Sequence, residues 1–186
     1  AQSFAINANT TLYAQWIIEP CFETASGSLD TTFDGDGKVT TTIGVSDSTA
    51  TAVVVQPDGM IVTAGTAFTG SNANFALARY SPTGALDTNF DIDGIVFTPI
   101  QSVNAYALAI ALQPDGKIIA AGYVNNGPDS DFAVVRYNPN GTLDTTFDGD
   151  GIVTTPVQSL ADIATSVAVQ PDGKIVVAGS SESPGY

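Results

Sequence analysis

Apolar residues in this chain fall in short runs of about six to eight, broken by clusters of Gly, Pro, Asp and Ser. Thr49 to Gln56 contains the unbroken run Val53-Val54-Val55, a pattern suited to a strand covered on both faces. Met60 to Ala67 follows, rich in β-branched and small residues. Asn74 to Tyr80 alternates, with Phe75, Leu77 and Arg79 on one face and Ala76, Ala78 and Tyr80 on the other. Gly94 to Pro99 completes the set. Between these runs lie Gln56-Pro57-Asp58-Gly59 and Ser81-Pro82-Thr83-Gly84, where Pro presets φ and Gly takes a positive-φ corner. No segment has helical periodicity, so the pattern predicts four short strands, a to d.

The pattern then recurs. Gly27-Ser28-Leu29-Asp30-Thr31-Thr32-Phe33-Asp34-Gly35-Asp36-Gly37 returns from Gly84 to Gly94 and from Gly141 to Gly151, each time 57 residues on. Gln56-Pro57-Asp58-Gly59 returns at Gln113 and at Gln170 in the same register. Phe75 to Tyr80 returns as Phe132 to Tyr137. Four strands in a unit of this length match a blade of a β-propeller. The expected fold is therefore all-β, built from four-stranded antiparallel blades. One blade cannot bury both its faces alone, so stability comes from stacking.

Counted from strand a, the chain holds a lone strand d (Lys38 to Ile43), two full blades and a half blade (Ala161 to Gly179). Closed propellers need about four to eight blades, so a piece of a longer array is expected. An open stack, or self-association through open blade edges, is the alternative. Thr49 to Gln56, Ala105 to Gln113 and Ile163 to Gln170 are expected to be the innermost strands.

The combination G-x-L-D-x-x-F-x-x-D-G, Q-P-D-G-K-I-V-V-A-G and F-A-x-x-R-Y-x-P-x-G resembles the delta-60 repeat family, bacterial exported proteins with no assigned activity. The likeness runs from Gly27 to Gly179. Asp34, Asp91 and Asp148 depart from it, standing where that family often has Gly. Phe4 to Trp16, ending Thr11-Leu12-Tyr13-Ala14-Gln15-Trp16, resembles the last strand of the Listeria–Bacteroides repeat, a module of bacterial surface proteins. Together these imply residues 1–17 as the end of a preceding β-module, 18–26 as a linker and 27–186 as the array, with repeats 27–83, 84–140 and 141–186. They also imply an extracellular or cell-surface location.

Composition narrows the chemistry. Lys and Arg number 5 against 19 Asp and Glu, a formal charge of −14, which opposes nucleic acid as a partner. There is no His, which removes Ser-His-Asp and Cys-His catalysis and His-ligated metals. The one cysteine, Cys21, permits no intrachain disulfide. No apolar run approaches the ~20 residues of a membrane-spanning helix.

The acidic loops are the candidate site. Asp30, Asp34 and Asp36 lie within seven residues, as do Asp87, Asp91 and Asp93, and Asp144, Asp148 and Asp150. Such a set could offer a hard cation, Ca²⁺ above all, several oxygens on a glycine-bent loop. The competing interpretation is that these carboxylates cap turns. Arg79 and Arg136, on half-buried strands, require a carboxylate partner, and Asp87 and Asp144 follow shortly after them. Phe33, Phe90 and Phe147, with Leu29, Leu86 and Leu143, are expected to pin the loop to the blade, an aromatic sugar platform being the alternative. The expected function is a non-enzymatic repeat that presents loops to a protein or glycan outside the cell. A carboxylate-based glycan hydrolase or lyase, and a Ca²⁺-stabilised array, are the rival functions.

Overall fold

The computed structural model describes residues 6–7, 10–13, 28–45, 47–127 and 129–183, and these form strands and turns only. The strands are β1 (Ile6–Asn7), β2 (Thr10–Tyr13), β3 (Lys38–Thr41), β4 (Ser48–Val55), β5 (Ile61–Phe68), β6 (Ala73–Tyr80), β7 (Ile95–Thr98), β8 (Asn104–Leu112), β9 (Ile118–Asn125), β10 (Ser130–Tyr137), β11 (Ile152–Thr155), β12 (Asp162–Val169) and β13 (Ile175–Ser181). β4 to β7 form one antiparallel meander and β8 to β11 a second, each running a-b-c-d as expected. β12 and β13 are the a and b strands of a third sheet.

The sheets stack face to face. β8 lies across β4, β5 and β6, and β12 lies across β8, β9 and β10. No comparable contact joins the d strands β7 and β11. The a strands therefore converge while the d strands diverge, which is how propeller blades radiate from an axis.

Each joint between sheets has its own core. Val62, Ala64, Phe75 and Leu77 of the first full sheet meet Ala105, Ile118, Ala120, Ala133, Val135 and Tyr137 of the second. The opposite face of the first sheet, with Ile61, Ala67, Ala76, Ala78 and Tyr80, packs on Phe33, Val39 and Ile43. Burying one Leu or Phe in such a joint contributes about 2 kcal/mol.

Strand a departs from expectation in one respect. Its apolar run suggested cover on both faces, yet strands b and c are the covered ones: β5 is buried from Ile61 to Ala67, while β4 is mostly half-buried and Val55 is 39% exposed. The cause is position. Strands b and c have a partner strand on both sides, whereas β4 has a full partner only in β5 and the two-residue β1 on its other side, with Thr49, Thr51 and Val55 exposed.

A bulge interrupts strand a in every sheet, between Ala50 and Ala52, Ala107 and Ala109, and Ala164 and Ser166. Opposite it stands a glycine. A Cβ on Gly65, Gly122 or Gly179 would lie 1.9, 1.9 or 2.0 Å from the carbonyl oxygen of Thr49, Tyr106 or Ile163. Only glycine lets the bent strand approach that closely.

The described part of residues 1–17 is seated on the array rather than on a sheet of its own. β1 pairs with β4, and β2 pairs with β3, whose open edge offers unpaired backbone groups. Strand d from Lys38 is thus not alone. The expected linker 18–26 and Cys21 lie outside the described residues.

Candidate functional site

The Leu-Asp-x-x-Phe loop leads into strand d and has the same geometry in all three copies. The first Asp makes an Asx turn: Asp30 Oδ1 accepts from Thr32 N (2.9 Å) and Thr32 Oγ1 (2.7 Å), Asp87 Oδ1 from Asn89 N (3.1 Å) and Nδ2 (3.0 Å), and Asp144 Oδ1 from Thr146 N (3.1 Å) and Oγ1 (2.7 Å). The last Asp makes another, with Asp36, Asp93 and Asp150 accepting from the amides of Lys38, Ile95 and Ile152. The middle Asp takes the left-handed conformation, at φ 50°, 56° and 50° for Asp34, Asp91 and Asp148. That backbone explains why glycine is acceptable at this position and why Asp, which tolerates it better than most side chains, can replace it.

The first and last carboxylates of each loop are therefore engaged in turns, while the middle Asp is marked by its backbone conformation. Among the described residues, no group of three or more acidic, Cys or His side chains is placed to hold a metal ion. Asp30, Asp34 and Asp36, and their two sets of counterparts, are adjacent in sequence but do not converge on one point.

The Arg–carboxylate expectation is met. Arg79 Nε lies 2.8 Å and Nη2 2.7 Å from Asp87 Oδ2, and the guanidinium sits 4.6 Å over the ring of Phe90. Arg136 Nε lies 2.7 Å from Asp144 Oδ2 and 4.6 Å over Phe147, measured from the guanidinium carbon to the ring centre. Lys117 Nζ adds a contact to Asp144 Oδ2 at 3.1 Å. The Thr146 hydroxyl, Lys117, the Thr146 amide and Arg136 hold the Asp144 carboxyl well below the usual carboxylate range, outweighing burial. Burial pushes Asp87 up, but Asn89 and Arg79 outweigh it and the net shift is downward. Phe33 and Phe90 are 1% and 0% exposed, so they pin the loop and offer no platform to a sugar.

The same loop reaches the next sheet. Asp34 N donates to Thr83 O (2.8 Å), Asp91 N to Asn140 O (2.7 Å) and Arg79 Nη1 to Pro139 O (2.6 Å). Elsewhere in the joints, Thr51 Oγ1 donates to Ala107 O (2.7 Å) and Gln113 Nε2 to Gly173 O (3.2 Å). Tyr80 OH bonds Thr41 Oγ1 at 2.9 Å, and the hydroxyls of Tyr137 and Thr98 bond at 2.7 Å. Burial raises the Tyr137 hydroxyl well above its usual range, so it stays neutral.

Residues that differ between repeats stand out against this shared frame. A cleft between the d strand of the first full sheet and the turn of the second is lined by Asp91, Phe97, Pro99, Thr142 and Leu143. At its mouth Phe97 is 38% exposed, and Ile92, next to Asp91, is 88% exposed. Their counterparts are Thr40 and Gly35 in the first repeat, Thr154 and Gly149 in the third. Identity between the copies hides these positions, and the signal that marks them in the sequence is its local loss. Asp162 is another such position. It replaces Ser48 and Ala105, is wholly buried, and accepts from Val157 N (2.6 Å), Gln158 N (2.9 Å) and the Ser181 hydroxyl. Those donors lower its pKa and tie the loop before strand a to the end of strand b.

Four-stranded meanders, stacked face to face with converging a strands, define a repeat of the β-propeller type. A family described as "Domain of unknown function (DUF5122) beta-propeller" matches the chain at residues 56–90, 113–147 and 170–185. Each of the first two stretches spans strands b and c with the start of the loop that follows, and the third covers the described b strand. No curated protein matches the chain. Among the described residues, no helix is long and apolar enough to cross a membrane.

Proposed function

We propose that this chain is a non-enzymatic scaffold of an exported bacterial protein, which presents a rim site between blades to a protein or glycan. The observation that carries the reading is the division of labour within the repeat. Residues shared between copies, namely the loop Asp in all three and, in two, Arg79 and Arg136 with their carboxylates and Tyr80 and Tyr137, are bonded within turns and joints. Large apolar side chains unique to one copy, Ile92 and Phe97, stand exposed beside a cleft. Exposed apolar groups at a concave rim are the usual mark of a contact surface. A scaffold of identical blades with one variable patch suits recognition better than catalysis, which needs an asymmetric set of reactive groups. Likeness of the repeat to exported proteins, and of the first residues to a surface module, supports the extracellular setting.

The test is a binding screen of the 186-residue chain against glycans and extracellular matrix proteins. The comparison protein is Ile92→Gly with Phe97→Thr, which installs the residues of the other repeats and leaves the joints intact. A ligand lost in the double variant supports the reading. Binding unaffected by the double variant, or turnover of a polysaccharide by the chain, refutes it.

A further inference from the structure

The outer edge of the first full sheet is β7, and the alternation of its backbone bonds shows what that edge offers. Arg79 N donates to Gly94 O at 3.0 Å, and bonded and non-bonded pairs alternate from there along the β6–β7 ladder. Val96 and Thr98 therefore bond to Leu77 and Phe75, while Ile95 and Phe97 turn their backbone groups outward. The Ile95 amide fits this parity, since it donates to Asp93 Oδ1 at 3.0 Å. Among the described residues, the Ile95 carbonyl and both backbone groups of Phe97 have no strand beside them. Pro99, which has no N–H, ends the edge.

The rim cleft runs along this edge, with Val96 to Pro99 on one wall and Gly141 to Leu143 on the other. Both walls belong to the joint between the two complete sheets. A strand added there would lie ~4.8 Å from β7 and send its side chains alternately to two sides. One side is that of Phe97, which pairs with Ala76 and is 38% exposed. The other is that of Val96, Thr98 and Leu143, with Asp91 in the same cleft. Each of the chain's five cations is paired with a carboxylate, and none of them is paired with Asp91. Thr154, the counterpart of Phe97 in β11, is engaged differently, its hydroxyl oxygen accepting from Gln101 Nε2 at 3.1 Å.

We propose that an extended polypeptide segment of a partner protein, with apolar and basic residues in alternation, adds to β7 as a further antiparallel strand. This rests on the rim reading above and names its ligand as polypeptide. Amide and carbonyl groups at strand spacing match another backbone, which a glycan does not have. The partner residue opposite Phe97 exchanges backbone bonds with it and sets an apolar side chain beside the exposed ring. Its neighbours are Lys or Arg, whose stems lie along Val96 and Leu143 while the charge reaches Asp91. The formal charge of −14 draws a basic partner to the cleft and opposes a second copy of this chain on the same edge. Pro99 confines the added ladder to the length of β7.

The probe is a capped fluorescent peptide, Lys-Val-Lys-Val-Lys-Val-Lys, titrated with the 186-residue chain at about 50 mM salt and read by anisotropy. A Kd tighter than about 500 μM is expected, and weaker binding overturns the proposal. N-methylation of each Val removes the donors that the Phe97 carbonyl takes, and Glu in place of Lys reverses the charge. Each change is expected to weaken binding by about 10-fold or more, as is Phe97→Pro, which removes an outward N–H and spares the ladder with β6. Asp91→Asn keeps a side chain suited to φ 56° and is expected to weaken binding about 3-fold, with less dependence on salt. Unchanged binding of the methylated peptide, or by Phe97→Pro, overturns strand addition. Unchanged binding of the Glu peptide overturns the basic partner. If Phe97→Pro alters the circular dichroism spectrum, the methylated peptide on the unaltered chain decides. No peptide bound, but a glycan bound and lost in Ile92→Gly with Phe97→Thr, overturns the polypeptide and leaves the rim reading in place. Dimerisation abolished by Phe97→Pro assigns the edge to a second copy and overturns the partner.

Discussion

Tyr137→Phe probes the joints most directly. The substitution removes one oxygen and leaves the ring in the core it shares with Phe75, Leu77 and Phe90. Its hydroxyl lies 2.7 Å from Thr98 Oγ1, and the two residues are 0% and 2% exposed. Water cannot reach Thr98, so its hydroxyl is left without this partner at a cost of about 1–2 kcal/mol. For a chain of this size that lowers Tm by roughly 2–8 °C. Replacing both partners, with Thr98→Val added, removes the stranded hydroxyl and recovers most of the loss, giving a coupling of about 1 kcal/mol or more. The equivalent change at Tyr80 costs less, about 0.5 kcal/mol, because Thr41 is only half-buried and water can take the vacated place. Urea titration followed by circular dichroism measures the unaltered chain and the four variants, Thr98→Val alone included. Additive effects of Tyr137→Phe and Thr98→Val, or equal costs at Tyr80 and Tyr137, would refute the hydrogen-bonded joint as a source of stability.

Gly122→Ala places a Cβ 1.9 Å from a backbone carbonyl and is expected to cost about 3 kcal/mol or more, read as a lower urea midpoint; a shift within experimental error would show that the bulge relaxes. Asp87 and Asp144 titrate below their unfolded values, so their contribution is complete above the ordinary carboxylate pKa and is lost as pH falls through the lower folded values. The urea midpoint should therefore be flat with respect to these groups from about pH 5 to 7 and decline below about pH 4, and the Arg136→Met variant should show a shallower decline. Because the first and last carboxylates of each loop are engaged in turns, millimolar EDTA is expected to leave Tm unchanged, and a fall of about 2 °C or more that added Ca²⁺ reverses would favour the metal interpretation.

Most of the architecture was legible because the repeat presents the same physics three times. Strands b, c and d appear within a residue or two of their expected bounds, since Gln-Pro-Asp-Gly and x-Pro-x-Gly fix where the chain turns. The Arg79–Asp87 pair was legible from solvation alone: a guanidinium on a covered strand needs a partner, and one lay eight residues ahead. Strand a was misjudged because a run of three valines looks the same whether both faces are covered or whether Val53 and Val54 serve different joints while Val55 meets solvent. The acidic loops were ambiguous for a related reason. Asx turns and cation sites draw on the same residues at the same short spacing, and only coordinates show whether the oxygens converge. The rim cleft was invisible because Phe97 and Thr142 are brought together by stacking, not by proximity along the chain.

The bonds between sheets that end on backbone carbonyls also have a direction. Thr51, Arg79 and the Asp91 amide of one sheet and its loop all donate to carbonyls of the sheet that follows, and Gln113 does the same one blade later. A stack with donors on its leading face and carbonyl acceptors on its trailing face has unlike poles, and a ribosome releases the donor side of each joint first. The emerging chain therefore waits with guanidinium and amide groups that water can satisfy while the next blade is made. Exposed carbonyls along a waiting strand edge would instead invite pairing with the wrong neighbour, so the order of synthesis and the polarity of the stack work in the same sense.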